Sequence, residues 1–181
     1  MKFLHSHLKK PLTFAPKFYS MRIEQNKVVM MHYKLADKDG NVIDSSEGRE
    51  PLAYIHGIGA LVPGLENELE NKVKGDKFST VVSPDDAYGR RDEALVRVVP
   101  KSGFQGDEEM TVGMQVQIDT GENGLAIATL TAIDGDDITL DLNHPLSDLD
   151  LHFDIEVMDI REATEEEMSH GHVHGAGGHH H

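Results

Sequence analysis

Through the first half of the chain, apolar residues come in short runs parted by turn formers. Val28-Val-Met-Met-His-Tyr-Lys-Leu35 reads as a strand, and Val42-Ile43 opens a second one. Asp37-Lys-Asp-Gly-Asn41 between them marks a β-hairpin, because glycine supplies the positive φ such a turn demands. Leu52 to Ile55 forms a third extended run. It leads into the glycine-punctuated loop Gly57-Ile-Gly-Ala60, then into Leu61-Val62 and Pro63-Gly64. Leu65 and Leu69 lie four apart, which predicts one apolar face of a helix over 64–71 with acids near its N-terminus. Gly75 closes that helix and residues 76–83 read as another strand, followed by the loop Ser83-Pro-Asp-Asp-Ala-Tyr-Gly89.

Residues 90–148 read as a separate small all-β meander, near the lower size limit for a self-standing core. Its strand-like pieces are 96–100, 114–119, 124–133 and 138–142, with turn signals at 119–124 and 134–137. From Leu149 to Ile160 apolar and polar residues alternate as in a half-buried strand. This last element is expected to pair back into the first sheet, which makes the middle module an insertion. After Arg161 the chain turns acidic and then histidine-rich, and this composition predicts no structure of its own.

The balance of charge narrows the function. A net charge of −15 argues against nucleic-acid binding, which needs clustered Lys and Arg. Residues 1–20 oppose this trend, with Lys2, Lys9, Lys10 and Lys17 and no acid, so the remainder carries −19. That segment lacks the apolar core of a secretory signal, and it reads as an extension outside the fold. No run approaches the ~20 apolar residues of a membrane span. The chain has no cysteine, so disulfides and thiolate metal sites are excluded and a reducing, cytoplasmic setting is compatible.

Two motif-like stretches fail on spacing. Asp37-Lys-Asp-Gly-Asn41 lacks the sixth-position glycine and twelfth-position glutamate of a calcium loop. Gly57 and Gly59 lack the third glycine of a dinucleotide fingerprint and the Lys-Ser/Thr of a phosphate loop. Asp44 ends an apolar strand, and two readings stay open: a turn-starting strand end, or a functional carboxylate. Six of the twelve histidines, His170, His172, His174, His179, His180 and His181, crowd the last twelve residues. Imidazoles at this density bind Ni²⁺, Zn²⁺, Cu²⁺ or Co²⁺. The terminal triplet has the alternative reading of a purification tag.

Several of these segments fall in one order that resembles the FKBP-type peptidyl-prolyl isomerases. They are the strand with Tyr33, Ile43-Asp-Ser45, Pro51-Leu-Ala-Tyr-Ile-His-Gly57, Leu61-Val-Pro-Gly-Leu-Glu66, Gly75-Asp-Lys77, Asp86-Ala-Tyr-Gly89 and Phe153. Asn143-His-Pro-Leu146, Ile160-Arg-Glu-Ala-Thr-Glu-Glu166 and the His-rich tail narrow the resemblance to the SlyD branch, over residues 22–175. The segment before Met21, the short tail and the lack of cysteine depart from that pattern and weigh against a strong metal-storage role.

The resemblance implies an α+β fold with an antiparallel sheet wrapped on one helix, built from residues 22–88 plus 149–161. It further implies an inserted small all-β (insert-in-flap) domain over 89–148, an N-terminal extension over 1–21 and a His-rich tail over 162–181. By position, Asp44, Tyr88 and Tyr33 would be catalytic. Ile43, Leu52, Leu61, Val62, Leu65, Ala87 and Phe153 would bind substrate, with Leu65 as the floor where the family pattern carries Trp. The Val62 backbone N–H would donate to a substrate carbonyl. Val96, Val98, Met110, Met114, Leu125 and Ile127 would form an adaptable surface for unfolded chains. No cofactor is expected for isomerisation, and nickel is the expected tail metal. The implied partners are unfolded or proline-containing polypeptides and metalloenzyme maturation proteins, met by a monomer. The competing readings are a metallochaperone, or a holdase with an idle pocket.

Overall fold

The longest strand, β9 (Leu151–Glu162), lies at the centre of the main sheet. Leu151, Phe153, Ile155 and Val157 point into the core, and the alternation then slips so that Ile160 is the next buried residue. The slip coincides with a bulge opposite Met30 and Met31 of β1 (Lys27–Ala36), as an extra residue in one strand of a pair requires. The computed structural model that shows this describes residues 20–104, 110–121 and 124–173.

β9 pairs antiparallel with β1 on one side and β4 (Lys77–Val82) on the other. The far edge of β1 is shared. β3 (Leu52–Ile55) pairs with Val28–Met31, and β2 (Val42–Ser45) pairs with Lys34–Ala36. The last long strand returns into the first sheet, as its place at the end of the strand order led one to expect. The helix α1 (Pro63–Leu69) packs Leu65 and Leu69 against Ile23, Met31, Leu151, Phe153 and Val157. It is shorter than the predicted span. Pro63 starts it, as proline favours at a first helical position, and Glu70 leaves helical geometry before Asn71 takes a φ of 66°.

Between β4 and β9 the chain builds a second, four-stranded sheet from β5 (Val96–Pro100), β6 (Gln115–Asp119), β7 (Leu125–Asp134) and β8 (Asp137–Asp141). Its order is β5-β8-β7-β6, so only its last three strands form a meander. β5 sits beside β8 because the long segment after Pro100 lets the chain cross to the far edge. Ala128, Leu130, Ile138 and Leu140 make its small core. The two connections to the first sheet are stapled together. Asn143 Oδ1 accepts from the Asp92 N–H at 2.8 Å, and Asn143 Nδ2 donates to the Asp92 carbonyl at 2.9 Å. Arg91 also pairs with Asp141.

One correction concerns the acidic stretch after Arg161. It carries a short helix, α2 (Glu165–His170), opened by a capping box between Thr164 and Glu167. Glu167 is almost wholly buried and takes two bonds from Arg161, at 2.8 and 2.6 Å. The cap and the bidentate ion pair supply what the missing apolar face does not. The N-terminal extension through residue 19 and the tail from residue 174 lie outside the described residues.

Gly64 marks the close approach of α1 to β4. A Cβ there would overlap the Val82 side chain and come within 3.0 Å of Asp86 Cβ. Alanine is the better helix former by ~1 kcal/mol, yet Gly64→Ala should lower stability by about 1–3 kcal/mol, the usual cost of overpacking. Urea unfolding of the two proteins checks this.

Candidate active site

Because strand side chains alternate in direction, Met31, Tyr33 and Leu35 of β1 share the face turned toward α1. Leu35 lies opposite Phe153 of β9 in register. These four, with Leu52 of β3 and Leu65 of α1, surround a cavity of about 180 Å³. Ala60, Leu61 and Val62 close one side from the β3–α1 loop, and Asp44 and Tyr88 reach its lining from β2 and from the loop after β4. Leu65 is 3% exposed, which makes it a floor rather than a rim. Thus residues spread from position 31 to position 153 meet in one apolar hollow.

Of the residues singled out from sequence, Tyr33, Asp44, Leu52, Leu61, Val62, Leu65, Tyr88 and Phe153 line this hollow. Ile43 lies outside the lining, exposed on β2, and Ala87 packs against the main core instead. Met31, Leu35 and Ala60 join the lining without having been singled out. The period-two alternation around Tyr33 is the signal that carries the first two.

The polar part of the site is a fixed carboxylate. Asp44 Oδ2 accepts from the Tyr33 hydroxyl at 2.5 Å, and Oδ1 accepts from the Ser45 N–H and from Arg49 Nη2, each at 2.8 Å. The Tyr33 bond above all, then the Ser45 amide and Arg49, hold the Asp44 carboxyl below the usual carboxylate range. The same bond, with burial and the Asp44 charge, raises the Tyr33 hydroxyl above its ordinary value. The pair therefore stays as neutral phenol and carboxylate near neutral pH. Such a carboxylate is a poor general base and a steady source of negative charge at the cavity mouth. Arg49 was not legible as part of this group, since its only sequence signal is a basic residue five positions beyond Asp44.

Tyr88 is 40% exposed, and its ring stacks on His144 with centroids 3.8 Å apart. The stack ties the loop after β4 to the segment that returns from the second sheet. His144 falls in a segment that carried the resemblance, but its contact with Tyr88 had no sequence signal, because it spans the whole inserted module. A larger groove, about 580 Å³, crosses the outer face of the main sheet and includes His32, Lys34, Lys77, Asp154 and Glu156. Its charged lining suits solvent rather than an apolar ring.

On the second sheet, Leu125 and Ile127 alternate with the buried Ala128 and Leu130 and so face outward, both about two-thirds exposed, as is Val98. Val96 and Met114 are half-buried, and Met110 packs against that sheet's core. Val112 is a further exposed apolar residue there. His170 and His172 stack at the end of α2; His174, His179, His180 and His181 lie outside the described residues. No group of three or more metal-ligating side chains converges among the described residues. No helix among them is long and apolar enough to cross a membrane.

An apolar hollow that carries a phenol and a fixed carboxylate, set between a sheet and one short helix, has a counterpart in sequence. Residues 20–158 match the FKBP-type peptidyl-prolyl cis-trans isomerase family. The chain belongs to that family. Within it, the similarity is to SlyD proteins. The chain is 46% identical to the SlyD isomerase of Vibrio cholerae over 158 residues, which cover 87% of this chain and 78% of that protein. It is 46% identical to the Haemophilus influenzae SlyD over 86% of this chain and 82% of that one. For the Escherichia coli K12 protein the identity is 45%, over 86% and 79%.

The Asp44 group yields a titration test. A group whose folded pKa lies below its unfolded value, about 3.9 for Asp, stabilises the fold above that value. This contribution is lost as pH falls through the folded pKa. Tyr33→Phe removes the largest cause and should move the Asp44 midpoint up toward the ordinary range, with Arg49→Ala shifting it the same way by less. Carboxyl-carbon NMR titration reads both. An unmoved midpoint would contradict the assigned cause.

Proposed function

We propose that this chain isomerises prolyl bonds of unfolded or partly folded polypeptides in the apolar hollow, while the second sheet holds the client. The observation that carries this reading is the hollow itself: an apolar floor and walls, two phenols and one fixed charge. Rotation about an X–Pro bond meets a barrier of about 18–20 kcal/mol, set by amide resonance. Neither a nucleophile nor proton transfer is needed to lower it. Leu61, Val62, Leu65 and Phe153 take up the prolyl ring and strip water from the amide, which disfavours its charge-separated planar form. The Val62 N–H holds a substrate carbonyl, and the Tyr88 hydroxyl donates to the carbonyl beside the proline as the bond twists. Asp44, tied to Tyr33 and Arg49, biases the field across that amide. If these effects remove ~5 kcal/mol, the rate rises several thousandfold.

The second sheet supplies the client contact in this reading. Val98, Leu125 and Ile127, with Val112, make more exposed apolar surface than so small a unit needs for itself. Val96 is half-buried on the same sheet, and Met110 and Met114 supply adaptable side chains. Tethering a client there raises the local concentration of its prolines at the hollow. Tyr88→Phe should lower kcat/KM on a short proline peptide about tenfold or more, while deletion of 90–147 should spare that peptide and sharply slow proline-limited refolding of a protein. Equal losses in both assays for the deletion would remove the division of labour.

The histidine-rich tail is the reading's second part. Neutral imidazoles of His170, His172, His174, His179, His180 and His181 would bind Ni²⁺, with Zn²⁺, Cu²⁺ or Co²⁺ as competitors. Their density in a Gly-rich segment supports this, as does the placement of His170 and His172 side by side at the end of α2. A monomer in the cytoplasm, serving folding clients and metalloenzyme maturation proteins, completes the proposal. Truncation after Ser169 should abolish nickel binding measured by calorimetry and leave the peptide isomerisation rate within error of the full chain. Retained nickel affinity would assign the metal elsewhere.

A further inference from the structure

One wall of the hollow is a loop, and the start of that loop is held by a polar network that bond rotation does not use. His56 is 3% exposed. The Tyr54 hydroxyl lies 3.1 Å from its Nδ1, and Glu70 Oε2 lies 2.7 Å from its Nε2. Burial, and then the charges of Glu66 and Glu70, raise Tyr54 well above its ordinary pKa, so its hydroxyl keeps the proton. The Glu70 carboxylate only accepts, so Nε2–H donates to it, and the Tyr54 hydroxyl bonds the other ring nitrogen.

The backbone of His56 is fixed as firmly as its ring. Its N–H donates to the Lys27 carbonyl at 2.8 Å, and its carbonyl accepts from the Asn26 N–H at 2.9 Å. At the next residue, the Gly57 N–H donates to Glu66 Oε1 at 2.7 Å. Gly57 has a φ of 87°, and a Cβ there would come within 2.7 Å of Gln25 Cγ. At the loop's other end the Val62 carbonyl accepts from the N–H groups of Leu65 and Glu66, at 3.0 and 3.1 Å. Ile58, Gly59 and Ala60 between these anchors are exposed.

The two carboxylates belong to α1 and its C-cap, one helical turn apart. Glu66 follows Leu65, so a single turn of helix carries both the cavity floor and the peg that holds the wall. One attachment would let the loop pivot; two, a turn apart, fix its orientation. We propose that His56, Glu66 and Glu70 act as a positioning clamp that sets where Leu61 and Val62 stand relative to the Leu65 floor. The clamp thereby determines how tightly a prolyl ring is held. This rests on the reading of the hollow as the proline site.

The test uses Glu66→Ala, Glu70→Ala and their double variant, since Glu66 is half-buried, Glu70 is exposed and neither belongs to the apolar core. Steady-state isomerisation of a short proline peptide gives KM and kcat, and titration with a proline peptide gives Kd. A lost wall contact weakens ground and transition states alike. The double variant should therefore raise KM and Kd about fivefold or more, the scale of one or two net hydrogen bonds, with kcat changed less than about twofold. Glu66→Gln and Glu70→Gln keep an acceptor for Gly57 N–H and His56 Nε2–H and should restore KM. A lower melting temperature with unchanged KM and Kd in the double variant would overturn the clamp, provided Leu61→Ala raises KM in the same assay. If Leu61→Ala is silent as well, the proline-site reading falls with it.

Discussion

The antiparallel ladder between β1 and β9 is the interaction on which the rest depends. It runs from Lys27 opposite Glu162 to Ala36 opposite His152, and Met31, Tyr33, Leu35 and Phe153 of the hollow's sheet wall sit on these two strands. Tyr33 and Phe153 face the same space only because the register is fixed. A slip of one residue would turn one of them outward. The bulge at Met30 and Met31 absorbs one extra residue at the far end of the ladder, so the end that forms the hollow keeps strict alternation.

Around that ladder, apolar and charged groups have separate tasks. Leu35, Leu61, Val62, Leu65 and Phe153 line the hollow, and in the reading proposed above they would keep an amide dry and so disfavour its planar, charge-separated form. Asp44 keeps its charge at the mouth, where three donors hold it in one place, and so contributes a field without proton exchange. The chemistry is a matter of shape and fixed electrostatics.

Much of this was legible in the chain itself. The strand alternation at Leu149 to Ile160, the paired leucines of α1 and the ordered segments around Asp44, Tyr88 and Phe153 carry the fold and most of the hollow. What was not legible depends on distance or on partners. The order of the second sheet turns on where a long connection crosses, which local pattern does not encode. Arg49 on Asp44 and His144 on Tyr88 are contacts between ordinary surface residue types. α2 looked structureless because it lacks an apolar face, yet a capping box and the Arg161–Glu167 pair hold it in place. Ile43, placed in the site by the resemblance, is exposed on β2 and outside the hollow's lining.

The central position of the last long strand also bears on how the protein is made. While the ribosome is still adding residues beyond β8, the second sheet is already complete in sequence, but β1 and β4 have no partner between them. The hollow cannot form until Leu151 to Glu162 emerges. Contacts of such sequence separation form slowly, so a nascent chain can complete its second sheet before the hollow exists, and β1 must wait for its partner with one edge unpaired.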